Sequence, residues 1–363
     1  MVERAREGSG GPSDPGMIQC VRCMVPNTLP FDFDSQGVCG ACRSYVKPSY
    51  RGLEALKEEV KKYRNAAGSY DCIVPVSGGK DSTYVAYLAS RVLGLRVLGV
   101  TYDSGLRHPV AGKNIERLCS RLGIDVRYVR SPHGSERAFL GHFLKAMEPI
   151  HTYWGVCTFC HYAIEASVYR TALKEGVPLV LWGNTHHENL MVGMKDKYRE
   201  LFRAVRGFGM KERLRFAYHM CAAACHLFRL RFDLYLPPVK NLFTISTPPY
   251  PPKQIQVIRV FLSYLEWNPQ QLFDTLKREI GWESPEAHDA TQRFDCLIEP
   301  LVNHSWRSSY GVSTRQVISS NLYRSNTITR EELERTYRTG EDRAALERER
   351  DVIYRALGLK RDS

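Results

Sequence analysis

Six consecutive residues, Ser77-Gly78-Gly79-Lys80-Asp81-Ser82, carry the densest chemistry in the chain. They follow the apolar run DCIVPV and precede the amphipathic run DSTYVAYLASRVL, so a strand, an anion loop and a helix succeed one another. Two glycines let the backbone close on an anion, and Ser77, Ser82 and the amides of the helix N-terminus can donate to phosphate oxygens. This is not a Walker A loop, because Val74 stands where that motif needs its first glycine and Asp81 where it needs Ser or Thr after the Lys. Simple γ-phosphate hydrolysis is therefore disfavoured. The bland alternative is a glycine-rich turn without a ligand.

Cysteines supply a second chemistry. Cys20, Cys23, Cys39 and Cys42 read Cys-x2-Cys-x15-Cys-x2-Cys, a four-thiolate spacing expected to hold zinc. Four protein ligands close the tetrahedron, so such a zinc is structural; an iron-sulfur cluster on the same ligands is the alternative. A further pair, Cys157 and Cys160, is expected on a loop leading into a helix, where the local potential lowers thiol pKa. A catalytic dithiol, a second zinc site or reduced bystanders are its readings from the residues alone. Cys72, Cys119, Cys221 and Cys225 are expected to be small buried residues.

These residues need a scaffold, and the pattern from Tyr70 onward provides one. Short apolar runs (DCIVPV, RVLGVTYD, DVRYVR, PLVLWGNT) alternate with amphipathic ones, which predicts an α/β fold with a doubly wound parallel sheet. Thr101 to Gly105 and Gly183-Asn184-Thr185 fall at the carboxyl ends of two such strands, where ligands of these sheets bind. For the second of these a plain strand-end turn is an equal reading. The expected organisation is a disordered leader over 1–16, a four-Cys knuckle over 17–48, a linker helix over 49–69, the α/β domain over 70–245 and a mainly helical C-terminal region over 246–363. The last boundary rests on the proline cluster STPPYPPK. Thr329 to Glu332 reads as a capping box opening a charged helix or helix pair that forms a solvated or oligomerising face.

Composition narrows the class. The chain has 363 residues, 43% hydrophobic and 25% charged, which are globular values. Its longest apolar stretch is broken by His219, His226 and Arg229, and its N-terminus lacks an apolar signal core, so a cytoplasmic protein with no membrane partner is expected. Fifty-one Lys and Arg against 39 Asp and Glu give +12, favouring anionic partners. Ten of those cations against three acids fall between Lys195 and Arg231.

Ser77 to Ser82 resembles the SGGxDS loop of the N-type ATP pyrophosphatases, the PP-loop enzymes, which are similar in fold to adenine-nucleotide α-hydrolases. The resemblance implies that ATP is cleaved between its α and β phosphates, that a substrate oxygen is adenylated, and that nitrogen or sulfur then displaces AMP. It also implies that Ser77, Gly78, Gly79, Asp81 and Ser82 grip pyrophosphate, that Lys80 neutralises its developing charge, that Mg2+ bridges the phosphates and that Val100 to Asp103, with Tyr102 and Asp103 at its end, flanks the adenosine. Gly183 and Asn184 would meet the ribose or α-phosphate; Lys80, Asp81 and Ser82 are the expected catalytic set. Certain PP-loop sulfurtransferases have a Cys-x2-Cys in a similar place and one distant cysteine, together holding a [4Fe-4S] cluster with one iron free. Here these would be Cys157, Cys160 and Cys296.

More narrowly, the chain resembles the N-acetyl sugar amidotransferase-like proteins of surface-polysaccharide biosynthesis from about Ile18 to about Leu333. The likeness includes CVRCMVPNTLPFDFDSQGVCGAC, DCIVPVSGGKDS, TYDSGLRHPVAGKNIERL, the Cys157 pair, and DCLIEPLVNH with STRQVISSNLYRSNTITREEL. It implies a nucleotide-linked N-acetyl sugar as substrate, its phosphates held by the basic segment, and a separate glutaminase subunit supplying ammonia. A [4Fe-4S]-dependent sulfurtransferase acting on tRNA or a small metabolite, and a non-catalytic nucleotide-binding scaffold, are the alternatives. A homo-oligomer is compatible with the charged C-terminus. His151, His186 and His187 are candidates for a general base, more often structural than catalytic.

Overall fold

A computed structural model describes residues 17–131, 134–150, 153–188, 205–234, 251–285, 291–338 and 343–358. The expected leader, His151 and the first half of the proline cluster lie outside these residues.

Five parallel strands form one sheet in the order β3-β2-β1-β4-β5: β1 Cys72–Pro75, β2 Val97–Tyr102, β3 Asp125–Val129, β4 Leu179–Trp182 and β5 Gln256–Arg259. β1, β2 and β4 are buried along their whole length, which is why they read as unbroken apolar runs. The two faces nonetheless separate by alternate residues. Cys72, Val74, Val97, Leu179 and Leu181 enter one core cluster; Ile73, Leu98, Val180 and Trp182 enter another on the opposite face. β3 lies at the edge and keeps Arg127 and Tyr128 exposed, a polar composition that discourages pairing with another chain.

The first face is covered by α1 (Gly52–Lys61), α2 (Lys80–Tyr87), α3 (Pro109–Leu122) and, further on, α7 (Pro269–Ile280). The second is covered by α5 (Trp154–Lys174), through Val168, Tyr169 and Ala172. α4 (Ser135–Met147) follows β3 and packs along α6 (Met210–Leu234). Four C-terminal helices, α8 (Glu299–Tyr310), α9 (Thr314–Arg324), α10 (Arg330–Arg338) and α11 (Arg343–Ala356), form a third layer whose core is continuous with the cysteine knuckle and with α4.

Two expectations of organisation change. β5 lies beyond residue 245 yet pairs with β4 from Leu179↔Gln256 to Trp182↔Arg259, so the α/β unit takes in part of the region assigned to the C-terminal helices. A short four-residue edge strand after a proline cluster gives too little periodicity to be seen in sequence. The predicted linker helix, α1, is no spacer: Leu56 and Val60 are buried in the first-face core. The capping box is present, with Glu332 N–H donating to Thr329 Oγ1 at 3.2 Å and Thr329 N–H to Glu332 Oε2 at 2.7 Å.

Candidate active site

The chain moves from β1 to β2 and β3 on one side and from β4 to β5 on the other. The connections after β1 and β4 therefore diverge, leaving a crevice at the carboxyl edge of the sheet. Ser77 to Ser82 follows β1 into this crevice, and Gly183 to Glu188 follows β4. The two segments touch: a Cβ on Gly183 would stand 3.1 Å from the carbonyl oxygen of Asp81.

Each residue of the loop has a reason to be there. Gly78 has φ +84°, and a Cβ on it would meet the carbonyl oxygen of Ala111 at 2.0 Å, so only glycine fits. Its own carbonyl accepts from Trp282 Nε1 at 2.9 Å and from buried Asn114 Nδ2 at 3.2 Å, which ties the turn to α3 and to the residues after α7. Ser77 and Ser82 hydroxyls stand 3.0 Å apart, and the Ser77 amide donates to Ser82 Oγ at 3.2 Å, closing the loop on itself. Gly79 is the N-cap of α2, whose first-turn amides have no helical acceptor and suit an anion.

Lys80 opens α2 and is only 5% exposed. Its ammonium lies 3.4 Å from Asp81 Oδ2 and 5.2 Å from the centroid of the Trp267 ring. Trp267 in turn donates Nε1–H to Asp81 Oδ1 at 2.6 Å. One indole thus fixes both members of the charge pair, one through its face and the other through its edge. Trp267, Trp282 and Asn114 were not singled out from the sequence. No motif announces them, because they converge on the loop from α3 and from the two ends of α7.

Asp103 sits at the end of β2, where its carboxylate accepts from the Gly105 amide at 3.3 Å and faces Arg130 at 3.6 Å. Tyr102 is buried in the core shared with α4 and α5, and its hydroxyl has no hydrogen-bond partner among the described residues. Asn184 is half-buried at the end of β4. In the single turn that follows, Thr185 N–H donates to Glu188 Oε2 at 3.2 Å. His186 contacts the Leu262 carbonyl at 3.1 Å. His187 is buried against Trp267, at 5.2 Å between ring centroids, and burial pulls its imidazole down to about 4.

A charged group that sequence reasoning missed faces the loop from the segment before α8. Arg293 Nη1 lies 3.2 Å from Glu188 Oε1, and its Nε 3.7 Å from Asp295 Oδ1. A Cβ on Gly79 would be 3.4 Å from the Asp295 carboxyl. Glu299, at the start of α8, is pushed up to about 7 by burial, with Arg293 opposing the shift. Arg293 keeps half of its side chain accessible, and the neighbouring carboxylates, Asp295 first and Glu188 after it, hold it firmly charged. The visible signal was the acid-rich string RFDCLIEP, but nothing in one sequence says that it folds over the loop.

Cys160 and Cys296 lie within electrostatic reach of one another and of Cys157. Cys296 also bridges to Arg107 and follows Asp295 directly. Cys157 and Cys160 belong to the first two turns of α5 rather than to a loop before it. The expected lowering of thiol pKa is not found at Cys160, where burial raises it, and burial likewise pushes Cys296 up to about 12. Their ligand atoms do not close to within 4.8 Å as a set; among the described residues only Cys20, Cys23, Cys39 and Cys42 do so. That spacing condition suits a single ion, whereas a cubane spreads its thiolates more widely.

The four knuckle cysteines could hold a metal ion. The knuckle is fastened to the C-terminal layer: Arg324 Nη1 donates to Cys23 Sγ at 2.8 Å, Arg330 Nη1 to the Arg22 carbonyl at 2.8 Å and Thr28 Oγ1 to the Tyr310 carbonyl at 2.5 Å. Cys221 and Cys225, expected to be buried, are exposed on α6, because the helix turns its other face to α4.

A family model described as NAD synthase matches residues 52–199, a span that contains the loop, β1 to β4 and Gly183. The chain is 36% identical over 93 residues to the glutamine-hydrolyzing GMP synthase of Neisseria meningitidis serogroup C and 30% identical over 113 residues to that of Janthinobacterium sp.. These stretches are 25% and 31% of this chain but only 17% and 19% of those relatives, so it spans less than a fifth of their length. Among solved structures it is similar to the NH3-dependent NAD synthetase of Campylobacter jejuni, at 21% identity and a TM-score of 0.30 over 38% of this chain and 57% of that one. It is also similar to the NMN synthetase of Francisella tularensis, at 12% identity and a TM-score of 0.37 over 85% and 98%. The family match on the segment that builds the loop, together with these sequence relatives, places the chain in the PP-loop ATP pyrophosphatase superfamily.

Proposed function

We propose that the protein is an ATP-dependent amidotransferase, forming AMP and pyrophosphate, that acts on the acetamido group of a nucleotide-linked N-acetyl sugar. The observation that carries the reading is the placement of Lys80. It is a buried cation at the N-terminus of α2, inside a glycine loop at the sheet's switch point, where a departing diphosphate needs compensation. The acetamido oxygen attacks the α-phosphorus, and the bond to the β-phosphate oxygen breaks. Ammonia then adds to the activated carbon, the carbon-oxygen bond breaks, and AMP leaves with the former acetamido oxygen, giving an acetamidino group after loss of a proton.

Within that sequence Ser77, Ser82 and the amides of the loop bind the leaving diphosphate. Lys80 neutralises it, and Asp81 and Trp267 hold Lys80 in place. Asp103 and Asn184 border the nucleoside side of the crevice. Glu299, whose carboxyl burial pushes up to about 7 against the pull of Arg293, is proposed as the acceptor of the proton lost from ammonia. The Asp81 carboxylate, beside a triphosphate, offers the hard oxygen ligands that Mg2+ takes, and the ion would supply further charge compensation. Four buried thiolates of matched spacing fit zinc in a structural role. The relatives named as glutamine-hydrolyzing make a separate ammonia-supplying partner a reasonable part of the reading.

Purified protein given ATP, ammonia and a nucleotide-linked N-acetyl sugar should release AMP and pyrophosphate in equal amounts with the amidine. Release of ADP and phosphate instead would overturn the reading. A second reading, sulfur transfer, is favoured by one observation: Cys157, Cys160 and Cys296 lie within electrostatic reach of one another, and Cys296 follows Asp295, which borders Gly79 of the loop. Iron and labile sulfide in anaerobically purified protein, lost in Cys296→Ala together with sulfide-dependent turnover, would support it over amide chemistry.

A further inference from the structure

One face of α6 stays largely exposed along its length. The inner face, with His219, Ala223 and Leu227 buried, packs on α4. On the opposite side Met210, Leu214, Tyr218, Cys221, Cys225 and Phe228 recur at three- and four-residue steps, so they line a single stripe about 27 Å long. Met210, Leu214, Tyr218 and Phe228 are 74%, 65%, 64% and 55% exposed, and both cysteines are exposed with them. Four of the twelve large hydrophobic side chains exposed among the described residues are thus gathered on one helix.

The border of the stripe is basic. Lys211, Arg215 and Arg229 each follow a stripe residue by one position and so run along its edge, and Arg213 lies across the helix from them. All four are exposed, and Glu212 is the only acid between Val205 and Arg229. This composition, apolar along the middle and cationic along the margin, matches an anionic lipid surface. The apolar side chains enter the headgroup boundary while Lys and Arg extend to the phosphates. A second copy of the chain would set cations against cations in either orientation. RNA would reward the cations but leave the apolar stripe in water.

We infer that α6 is an interfacial helix by which the protein adsorbs to anionic membrane surfaces, lying along the bilayer rather than crossing it. No helix among the described residues is long and apolar enough to cross a membrane. The inference revises the sequence expectation that no membrane takes part. It also moves part of the basic segment away from nucleotide binding: Arg215 lies 4.0 Å from Glu148, just past the end of α4 that is distant from β3. It does not depend on the chemistry assigned to the loop.

Sedimentation of the whole protein with vesicles of phosphatidylcholine alone, or of phosphatidylcholine mixed with phosphatidylglycerol, tests it. Binding should appear on the mixed vesicles, weaken as salt is raised, and fall by about tenfold or more in Leu214→Glu. Lys211→Glu should weaken it several-fold, with the melting temperature of both variants near wild type. Absence of binding to either vesicle, or binding that Leu214→Glu leaves intact, overturns the proposal. So does a doubled solution mass abolished by Leu214→Glu without vesicle binding, which would assign the face to a second copy. Retention of tRNA without vesicle binding would likewise assign the segment to RNA.

Discussion

Asn321 donates its side-chain amide to the backbone carbonyl of His187 at 2.8 Å, joining the C-terminal helical layer to the turn that follows β4. The same asparagine accepts from Arg324 through its side-chain oxygen, and Arg324 reaches Cys23 of the knuckle. Three parts of the chain that are far apart in sequence therefore share one polar chain ending beside the phosphate loop. Replacing Asn321 with Leu removes the donor and leaves a buried carbonyl without this partner, a cost of about 1–3 kcal/mol. The turn carrying Thr185 and Glu188 should loosen. AMP release should fall about tenfold in kcat/KM, mainly through KM, while melting shifts by only a few degrees. An unchanged KM would show that the turn does not position substrate.

Removing metal from the four cysteines should act along the same path. Cys20, Cys23, Cys39 and Cys42 belong to the core shared with α8 and α9, so a knuckle that opens when its metal is removed exposes apolar surface and loosens the hold of Cys23 on Arg324. A chelator is expected to lower the melting temperature and AMP release together. Stoichiometric zinc should restore both, and Cys39→Ser should abolish that rescue. Full activity in metal-free protein would separate the knuckle from the site.

The elements that were legible in sequence are those whose signal is local. The phosphate loop, the four-Cys knuckle, the capping box at Thr329 and the fully buried strands β1, β2 and β4 each declare themselves within a few residues. What escaped is what only tertiary packing brings together. Trp267 and Trp282 reach the loop from opposite ends of α7, and Arg293 to Glu299 closes over it from a stretch with no strand or helix of its own until Glu299. Cys221 and Cys225 sit in an alanine-rich run that looks like core, yet α6 buries its histidine-bearing face instead. Burial of a small apolar residue depends on which side of a helix finds a partner, and local sequence does not record that.

Gly78 offers a strict test of the loop. An alanine there would have to hold φ near +84° and would drive its methyl onto the Ala111 carbonyl. Gly78→Ala is expected to eliminate measurable pyrophosphate release and to lower stability, because α3 must shift or the turn must open. Gly112→Ala, where an added Cβ meets nothing within 4 Å, is the matched control and should leave both near wild type. Equal behaviour of the two variants would mean that the loop geometry is unimportant.

Trp267 separates charge placement from folding. Trp267→Phe keeps an aromatic face over Lys80 but removes the hydrogen bond to Asp81, a bond to a charged acceptor worth about 1.5–3 kcal/mol. If that carboxylate must be oriented when pyrophosphate departs, kcat should fall about 10- to 100-fold with little change in ATP affinity. Lys80→Met should fall further, by about 100-fold or more, since it removes the cation itself. A loss confined to ATP affinity in both variants would assign the pair to ground-state binding.

His187 gives the pH dependence. Burial holds its imidazole at about 4, below the usual 6.5, with His186 acting in the same direction and Asp81 against it. Between those values the unfolded chain binds a proton that the folded chain does not, so this site's contribution is intact above about pH 6.5 and is lost as pH falls toward 4. Urea unfolding from pH 7 to pH 4.5 should therefore show a stability that declines on acidification. His187→Gln should flatten that decline, because a neutral amide at the same position has no proton to refuse. The turn also contacts Trp267 and Asn321, so AMP release in the wild type should fall over the same acid limb. A variant whose acid limb coincides with that of the wild type would show that other groups govern it.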